Sequence, residues 1–475
     1  MTSDPGTSST MPPVGPQSER ASDKLGAAVG VALVACGLLF NEWVIAKIAS
    51  SDGQIENTSI RTLILPLEGL LVLIGAFIFK YPHVGQVALR CIIPFLSLAV
   101  LSFVLFTVLE LFPSLIKYLP LGHADYYAQK ARFVPDEELV FRNRPFSRFE
   151  IRRFKGNQYR AFYGLDVKPI PYRAEYDEHG FRNGPIPQSG WDVVVLGDSN
   201  VEFGQDESDT FTARLATLSG LSIRNLGTGS YSPFHYLNVL KRYGLTPRPK
   251  YVLFCFSETS DIADIGKYLR WKNAPSSGYG NFNLTGKVFL ERYVMALRDV
   301  LYPPVVWTLH GVSEEPPAGD LVTIKMGDLT TRAVFSYKNE TRTPNELLMT
   351  NEWNILKELL RQFKTIAAEN SIVPIVVFIP IKAHIYAEYT TSDDVSNWMK
   401  IRGQQIAAKD NTESALRSLC REIGLELISL SPAFGRAASQ GKLLYYPFDT
   451  HWNSEGRQIG ASVVAKTLIS RQAKN

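Results

Sequence analysis

The residues best suited to chemistry lie far apart in the chain. In its first half, Val-Val-Val-Leu-Gly-Asp-Ser (193–199) runs from four apolar residues into a polar turn that ends on Ser199. A serine hydroxyl is a weak nucleophile until a base takes its proton. Placed just past a strand and at the start of a helix, its oxygen is exposed. Free backbone N–H groups, that of Ser199 among them, then face any oxyanion that develops. The bland alternative is that Asp198 or Ser199 merely caps a helix at a strand–helix turn. Near the C-terminus, Tyr-Tyr-Pro-Phe-Asp-Thr-His-Trp-Asn-Ser-Glu-Gly (445–456) sets Asp449 and His451 two residues apart, beside a turn leading into a helix. His451 is suited to act as general base toward Ser199, with Asp449 holding its ring and stabilising the imidazolium. A lone histidine is more often structural, but one in a polar turn beside an aspartate points to catalysis.

Residues this distant need a scaffold to bring them together. From Trp191 onward, apolar runs alternate with helical patterns. Asp192–Leu196, Tyr251–Phe256 and Ile372–Ile379 read as buried strands, with Ser222–Asn225 and Glu426–Ser429 as shorter ones. Helical patterns fall on Thr210–Leu218, Phe234–Tyr243, Asn351–Glu369, Asn411–Ile423 and Ser454–Ser470. This alternation predicts an α/β fold with a parallel sheet covered on both faces. Sites in such sheets lie outside the carboxyl ends of the strands, and Ser199 follows one of the runs directly. Two regions break the rhythm. Leu121–Gly190 is polar, aromatic and rich in Arg and Pro, and reads as a connecting segment packed on the core. Tyr268–Thr350 reads as an insertion able to form a lid or a substrate wall.

Taken together, the two motifs resemble the SGNH (GDSL-type) ester hydrolase superfamily, over roughly residues 175–470 apart from the insertion. Tyr-Asp-Glu-His-Gly-Phe-Arg-Asn (176–183) is similar to the lead-in of membrane-attached members. Ile-Pro-Ile-Lys-Ala-His-Ile-Tyr (379–386) and the Asp-x-His-Trp form of the last block resemble the alginate O-acetyltransferase branch, whose domains move acetyl groups onto extracytoplasmic polysaccharides. The resemblance implies a three-layer α/β/α fold, a triad of Ser199, His451 and Asp449, and no cofactor. It also implies an oxyanion hole. The family's second block ends with a glycine that donates its N–H; here Asn-Leu-Gly-Thr-Gly-Ser-Tyr (225–231) offers Gly229 or Ser230. The third block usually reads Gly-Asn-Asp, and Ser260 stands here where the asparagine is expected. A hydroxyl donates with a shorter reach, and losing one oxyanion donor costs about 10²–10³ in rate. Asp198 and Asp261 are expected to bond backbone groups at the loop tips. Lys382 is expected to steady an anionic or sugar substrate, or else to be a surface lysine. Trp452, with Tyr445 and Tyr446, is expected to form a sugar platform, unless these rings are packing.

The chain has 475 residues, room for two or three domains. A formal net charge of +4 does not suggest nucleic acid as a partner. Four cysteines make no disulfide framework, and no His/Cys cluster has metal-ligand spacing. The apolar content is concentrated near the N-terminus. Residues 1–22 read as a disordered tail. Residues 23–113 read as a transmembrane region with spans at Leu25–Lys47, Thr62–Phe79 and Cys91–Phe112, each close to the length a bilayer requires. Lys80 and Arg90 mark the second loop as cytoplasmic, so the third span delivers residues 114–190, the linker, and 191–475, the SGNH-like domain with its insertion at about 268–350, to the extracytoplasmic or periplasmic side of the inner membrane. Glu42, Glu68 and Glu110 then lie toward the outer helix ends, where carboxylates meet water. Three helices without repeats or paired broken segments do not make a transporter.

The expected function is a membrane-anchored serine esterase or O-acyltransferase acting on acyl, chiefly acetyl, esters of an envelope carbohydrate. Its partners would be that polysaccharide, the lipid bilayer and an acyl-donating membrane protein. Because the third-block asparagine is missing, the alternative is a catalytically weak or inactive domain serving in polysaccharide binding or assembly.

Overall fold

The computed structural model describes residues 16–39, 58–84, parts of 87–108, 133–153, 164–274, 319–335, 342–391 and 398–473, apart from Pro169, Ile186 and Thr259. By its contacts the chain divides into two units: residues 1–113 with 285–303, and residues 114–284 with 304–475.

In the first unit, helix α1 (Pro16–Leu39) packs against α2 (Thr58–Lys80). The contact is made by glycine. A Cβ on Gly30 would come within 2.6 Å of the Phe79 backbone nitrogen, and one on Gly75 within 2.7 Å of Val34 N. Meanwhile Leu25, Val31, Leu38, Leu70, Leu73, Phe77 and Phe79 face outward. The helix start at Pro16 corrects the expected tail, since residues 16–22 form the first turns of α1. Among the described residues no helix is long and apolar enough to cross a membrane. The end of the expected first span, 40–47, and much of the third lie outside the described residues.

The second unit is built on five parallel strands. β5 (Val193–Gly197), β6 (Ile223–Gly227), β7 (Tyr251–Ser257), β10 (Val373–Ile379) and β12 (Glu426–Ser429) stand in the order β12-β10-β7-β5-β6. Register aligns Val193 with both Ile223 and Tyr251, and Val373 with Tyr251. Nearly all of the central strands is buried, because alternate side chains feed different cores. Val194, Leu196, Phe254 and Phe378 point to one core, shared with helices Pro233–Val239, Asp261–Asn273, Asn351–Glu369 and Asn411–Ile423. Val193, Val195, Cys255 and Val377 point to the other, shared with Phe211–Ser219, Ser431–Ser439 and Ser454–Gln472. The expected three-layer α/β/α arrangement is therefore present.

Local signals explain the boundaries. Thr350 Oγ1 accepts from Trp353 N (3.2 Å) and Asn453 Oδ1 from Gly456 N (3.0 Å), fixing two helix starts. Gly424, at φ 68°, ends Asn411–Ile423 in the left-handed conformation. The pattern over Phe234–Tyr243 is not one α-helix: it is α over Pro233–Val239 and π over Leu240–Gly244.

The linker is more structured than a tether. β1 (Phe133–Asp136) pairs antiparallel with β2 (Val140–Asn143), and β3 (Arg148–Arg153) with β4 (Ile170–Glu175). The first region of the insertion belongs partly to a helix that ends at Asn273. Its later part is a hairpin of β8 (Asp320–Met326) and β9 (Leu329–Phe335), extended by β11 (Thr390–Thr391). Val322, Ile324 and Phe335 bury this hairpin in the second core.

Candidate active site

The turn that carries Ser199 is set by glycine and by a capping aspartate. A Cβ on Gly197 would lie 2.3 Å from Val201 Cγ2, and one on Gly227 2.7 Å from Val201 Cβ. Both glycines let the first turn after β5 sink between β5 and β6. Asp198 caps that turn, accepting from Asn200 N at 2.8 Å. Ser199 is its first helical residue, half-buried.

Asp198 also joins the end of β5 to that of β7. Its Oδ2 accepts from Ser260 Oγ at 2.7 Å, while Asn200 Nδ2 donates to Ser257 Oγ at 2.8 Å. Asp261 is fully buried. It accepts from Tyr236 OH (2.8 Å) and Ser257 N (3.1 Å). Burial, then the neighbouring Asp198 charge, raises its carboxyl well above the usual range. The two aspartates thus bond backbone groups at the loop tips.

The second half of the site is the loop 445–453. Asp449 Oδ1 accepts from His451 N at 2.9 Å and forms a short hydrogen bond with His451 Nδ1. A proton on Nδ1 leaves Nε2 as the basic nitrogen. The His451 ring lies 5.1 Å from that of Phe203, whose backbone N–H donates to Ser199 O. Trp452 Nε1 donates to Asn200 O at 2.9 Å. The loop is thereby docked on the turn that bears Ser199, across 252 positions of sequence.

Several expected roles do not hold. Trp452 is wholly buried between Phe211 and Phe434, so it cannot be a sugar platform; it is the peg that docks the loop. Lys382 is not a surface lysine and does not reach for substrate. Its Nζ is buried and donates to Val334 O (3.0 Å) and Pro447 O (2.8 Å). The Ser260 hydroxyl has one hydrogen, and it goes to Asp198 rather than toward an oxyanion. The Gly229 N–H goes to Glu202 Oε2 at 2.7 Å. Of the two second-block candidates Ser230 has the unusual backbone, φ 66°. That is a conformation at which glycine would be at ease.

Glu202 escaped the sequence reading. It is buried on the turn that begins at Ser199, and its Oε1 accepts from Tyr176 OH (2.8 Å) and Asn143 Nδ2 (3.2 Å). It ties the linker to the second-block loop. Its signal was a charged residue between Val201 and Phe203, where a core-facing turn is expected. Arg457 was missed as well. Fully buried, it donates to Trp452 O at 2.6 Å and pairs with Asp209. Burial alone would raise the Asp209 carboxyl, but Arg457 and several hydrogen bonds hold it below its ordinary value. His384, in the stretch 379–386, is no second base. Its ring lies between Glu258 (3.0 Å) and Asp410 (3.4 Å), and these charges outweigh burial and push it up to about 10. Among the described residues no group of His, Cys, Asp and Glu is placed to hold a metal.

Residues 335–475 match the family described as an SGNH hydrolase-like domain, acetyltransferase AlgX. That stretch contains Lys382, Asp449, His451 and Trp452; Ser199 precedes it. The resemblance drawn from the motifs is borne out there, and with it the class of an SGNH-type ester hydrolase or acetyltransferase. No curated protein matches the chain. Among solved structures, LAE5, an alpha/beta hydrolase enzyme from the metagenome of Lake Arreo, Spain, is 14% identical with a TM-score of 0.31, covering 59% of this chain and 96% of that one. The acetyl xylan esterase AlAXEase is 11% identical at TM-score 0.30, over 58% of this chain and 100% of its own. Axe2, an acetylxylan esterase from Geobacillus stearothermophilus, is 12% identical at TM-score 0.30, over 58% and 93%. At these identities and scores the likeness is loose.

Proposed function

We propose that this chain is a serine esterase or O-acyltransferase acting on acetyl esters of a cell-envelope carbohydrate, with Ser199 as nucleophile, His451 as base and Asp449 as its orienting acid. The observation that carries this reading is the Asp449–His451 pair docked, through Trp452 and Phe203, on the turn that begins at Ser199. Ser199 Oγ attacks the ester carbonyl as its proton passes to His451 Nε2. The backbone N–H groups of Ser199 and Ser230 are the proposed donors to the oxyanion. His451 then returns the proton to the departing sugar oxygen, leaving an acyl-enzyme. Water or a second sugar hydroxyl, deprotonated by His451, releases the acyl group. No cofactor enters these steps.

The test is a fluorophosphonate probe with an acetylated-polysaccharide assay. The wild type is expected to label at Ser199 and Ser199→Ala not to label. A wild type that neither labels nor releases acetate would overturn the enzyme reading. One observation favours a weaker activity or a binding role: the Ser260 hydroxyl and the Gly229 N–H are already engaged, by Asp198 and Glu202.

The placement of this domain is part of the same proposal. Glycines inside and Leu, Val and Phe outside, on α1 and α2, give a surface that hydrocarbon would cover and water would not. We assign residues 23–113 to a three-span membrane anchor of the inner membrane, with the SGNH-like domain on the extracytoplasmic side and a membrane protein as acyl donor. Protease protection in spheroplasts tests this. Cleavage of residues 191–475 only after lysis would reverse the orientation.

A further inference from the structure

Glu202 is a buried carboxylate that the triad does not use. It closes the turn that begins at Ser199, and its backbone N–H donates to Asp198 O at 3.1 Å. Its two oxygens serve different parts of the chain. Oε1 accepts from Tyr176 OH and Asn143 Nδ2, both of the linker, while Oε2 accepts from the Gly229 N–H, on the loop after β6. The Tyr176 hydroxyl gives its one hydrogen to Glu202, so Tyr172 OH, 2.9 Å away, donates to Tyr176. These three partners of Glu202 are all donors, which suits a carboxylate that only accepts. A glutamine would turn its NH2 group toward one side of them.

The loop that Glu202 holds is a tight turn. Tyr231 N–H donates to Thr228 O at 3.1 Å, and Ser230, third of the four residues, stands at φ 66°. The Thr228 N–H donates to Gly197 O at 3.2 Å, which pins the turn to the end of β5. Within it the Gly229 N–H is fixed by Glu202 and the Tyr231 N–H by Thr228. Between these two anchored peptides lies the Gly229–Ser230 peptide, which carries the Ser230 N–H. Peptide planes are rigid, so anchoring the planes on either side restricts the one between them.

We propose that Glu202 is a positioning residue: by holding the Gly229 N–H it sets the peptide whose Ser230 N–H donates to the oxyanion, and through Tyr176 and Asn143 it makes the linker part of the active site. This rests on the Ser–His–Asp reading, with Ser230 as a donor, and adds a residue to it. The linker meets the same region at further points. Arg182 Nη1 donates to Glu202 O (3.0 Å) and Gly204 O (3.1 Å), and its Nη2 to Arg173 O (2.7 Å). Asn183 exchanges two hydrogen bonds with the Asn225 backbone, on the strand that leads into the turn. The Tyr172 ring stacks on Phe203 at 5.4 Å, and Phe203 in turn lies against His451. A donor fixed before the reaction costs no reorganisation when the oxyanion forms. Misplacing such a group by about 1 Å costs on the order of 10² in rate.

The test is steady-state kinetics on a chromogenic acetyl ester, using the full-length chain and taking kcat per folded molecule. The oxyanion exists only after attack, so a misplaced donor lowers kcat and leaves KM alone. Glu202→Gln is expected to lower kcat by about 10- to 100-fold, short of the loss from deleting a donor outright. Tyr176→Phe, which keeps the bond to Gly229, is expected to lower kcat by about 3- to 10-fold, again at unchanged KM. An unchanged kcat in Glu202→Gln, or a loss confined to KM, would overturn the proposal, since a merely structural glutamate predicts lost stability alone. Should Glu202→Gln fail to fold by circular dichroism, Tyr176→Phe decides: a lowered kcat at unchanged KM supports the positioning role and an unchanged kcat refutes it. Ser199→Ala runs beside them. Full activity there would sink the triad itself, a failure distinct from that of Glu202.

Discussion

The two halves of the site are built in opposite ways. The proposed nucleophile turn is local: Gly197, the Asp198 cap and the Ser199–Glu202 turn follow one another, and β5, one strand in from the sheet edge, carries them. The proposed base loop, 445–453, comes instead after a helix, Ser431–Ser439. It is held by side-chain pegs, Trp452 on the distant Asn200, Lys382 on Pro447 O, and Arg457 of the following helix on Trp452 O. A locally coded turn is expected to tolerate change around it. A loop fixed by a few pegs is expected to lose its geometry when one peg is removed, while the fold survives.

The largest effects test whether both halves act in one reaction. Ser199→Ala is expected to lower acetyl-ester turnover by about 10³-fold or more without altering thermal stability. Asp449→Asn is expected to lower kcat by about 10²–10⁴, because the amide no longer favours a proton on His451 Nδ1. If Asp449→Asn is nearly as active as wild type, the short Asp449–His451 contact is structural and the base loop is not a base loop.

Next come the pegs. Trp452→Ala removes a wholly buried indole and is expected to cost about 3–5 kcal/mol in chemical denaturation. Trp452→Phe fills most of the space and loses chiefly the bond to Asn200 O, for about 1–2 kcal/mol. The comparison is sharpened if Trp452→Phe depresses kcat more than its small stability loss would suggest. On the other half, Gly197→Ala forces a Cβ to within 2.3 Å of Val201 Cγ2. Overpacking there is expected to cost about 1–3 kcal/mol, and refolded protein should regain the same turn.

This contrast also accounts for what the sequence could reveal. The nucleophile turn was readable because its determinants are neighbours: an apolar run, a glycine, an aspartate and a serine. The central strands were readable for the same reason, and Asn351–Glu369 and Asn411–Ile423 begin and end where their caps and periodicity place them. The pairing of Asp449 with His451 was legible in their spacing of two. Their supports were not, because a peg declares itself only in three dimensions. Trp452 looks like a sugar platform in one dimension and is a buried anchor in three. Lys382 looks like a surface cation and lies under the loop. Glu202 and Arg457 have partners at Gly229, Tyr176 and Asp209, positions that no local pattern links to them. The π turn at Leu240–Gly244 was hidden because its apolar spacing resembles that of an α-helix.

The last effect is read in the pH dependence of stability rather than in rate, and it separates two buried cations by sign. Burial lowers Lys382 from the ordinary 10.5 to about 7, so between these values the unfolded chain holds a proton that the folded chain has released. Folding stability then rises with pH across about 7 to 10.5, and the cost of the buried charge is fully present below about 7. His384 is the reverse case. Raised from 6.5 to about 10 by Glu258 and Asp410 against the effect of burial, it contributes stability in full below 6.5, lost as pH climbs through 10. Lys382→Met is therefore expected to gain on wild type most at pH 6 and to converge with it toward pH 10, whereas His384→Gln is expected to lose most at pH 6 and least at pH 10. Urea melts of both variants at the two pH values check this. If both differences run in the same direction with pH, one of the two cations has been given the wrong surroundings.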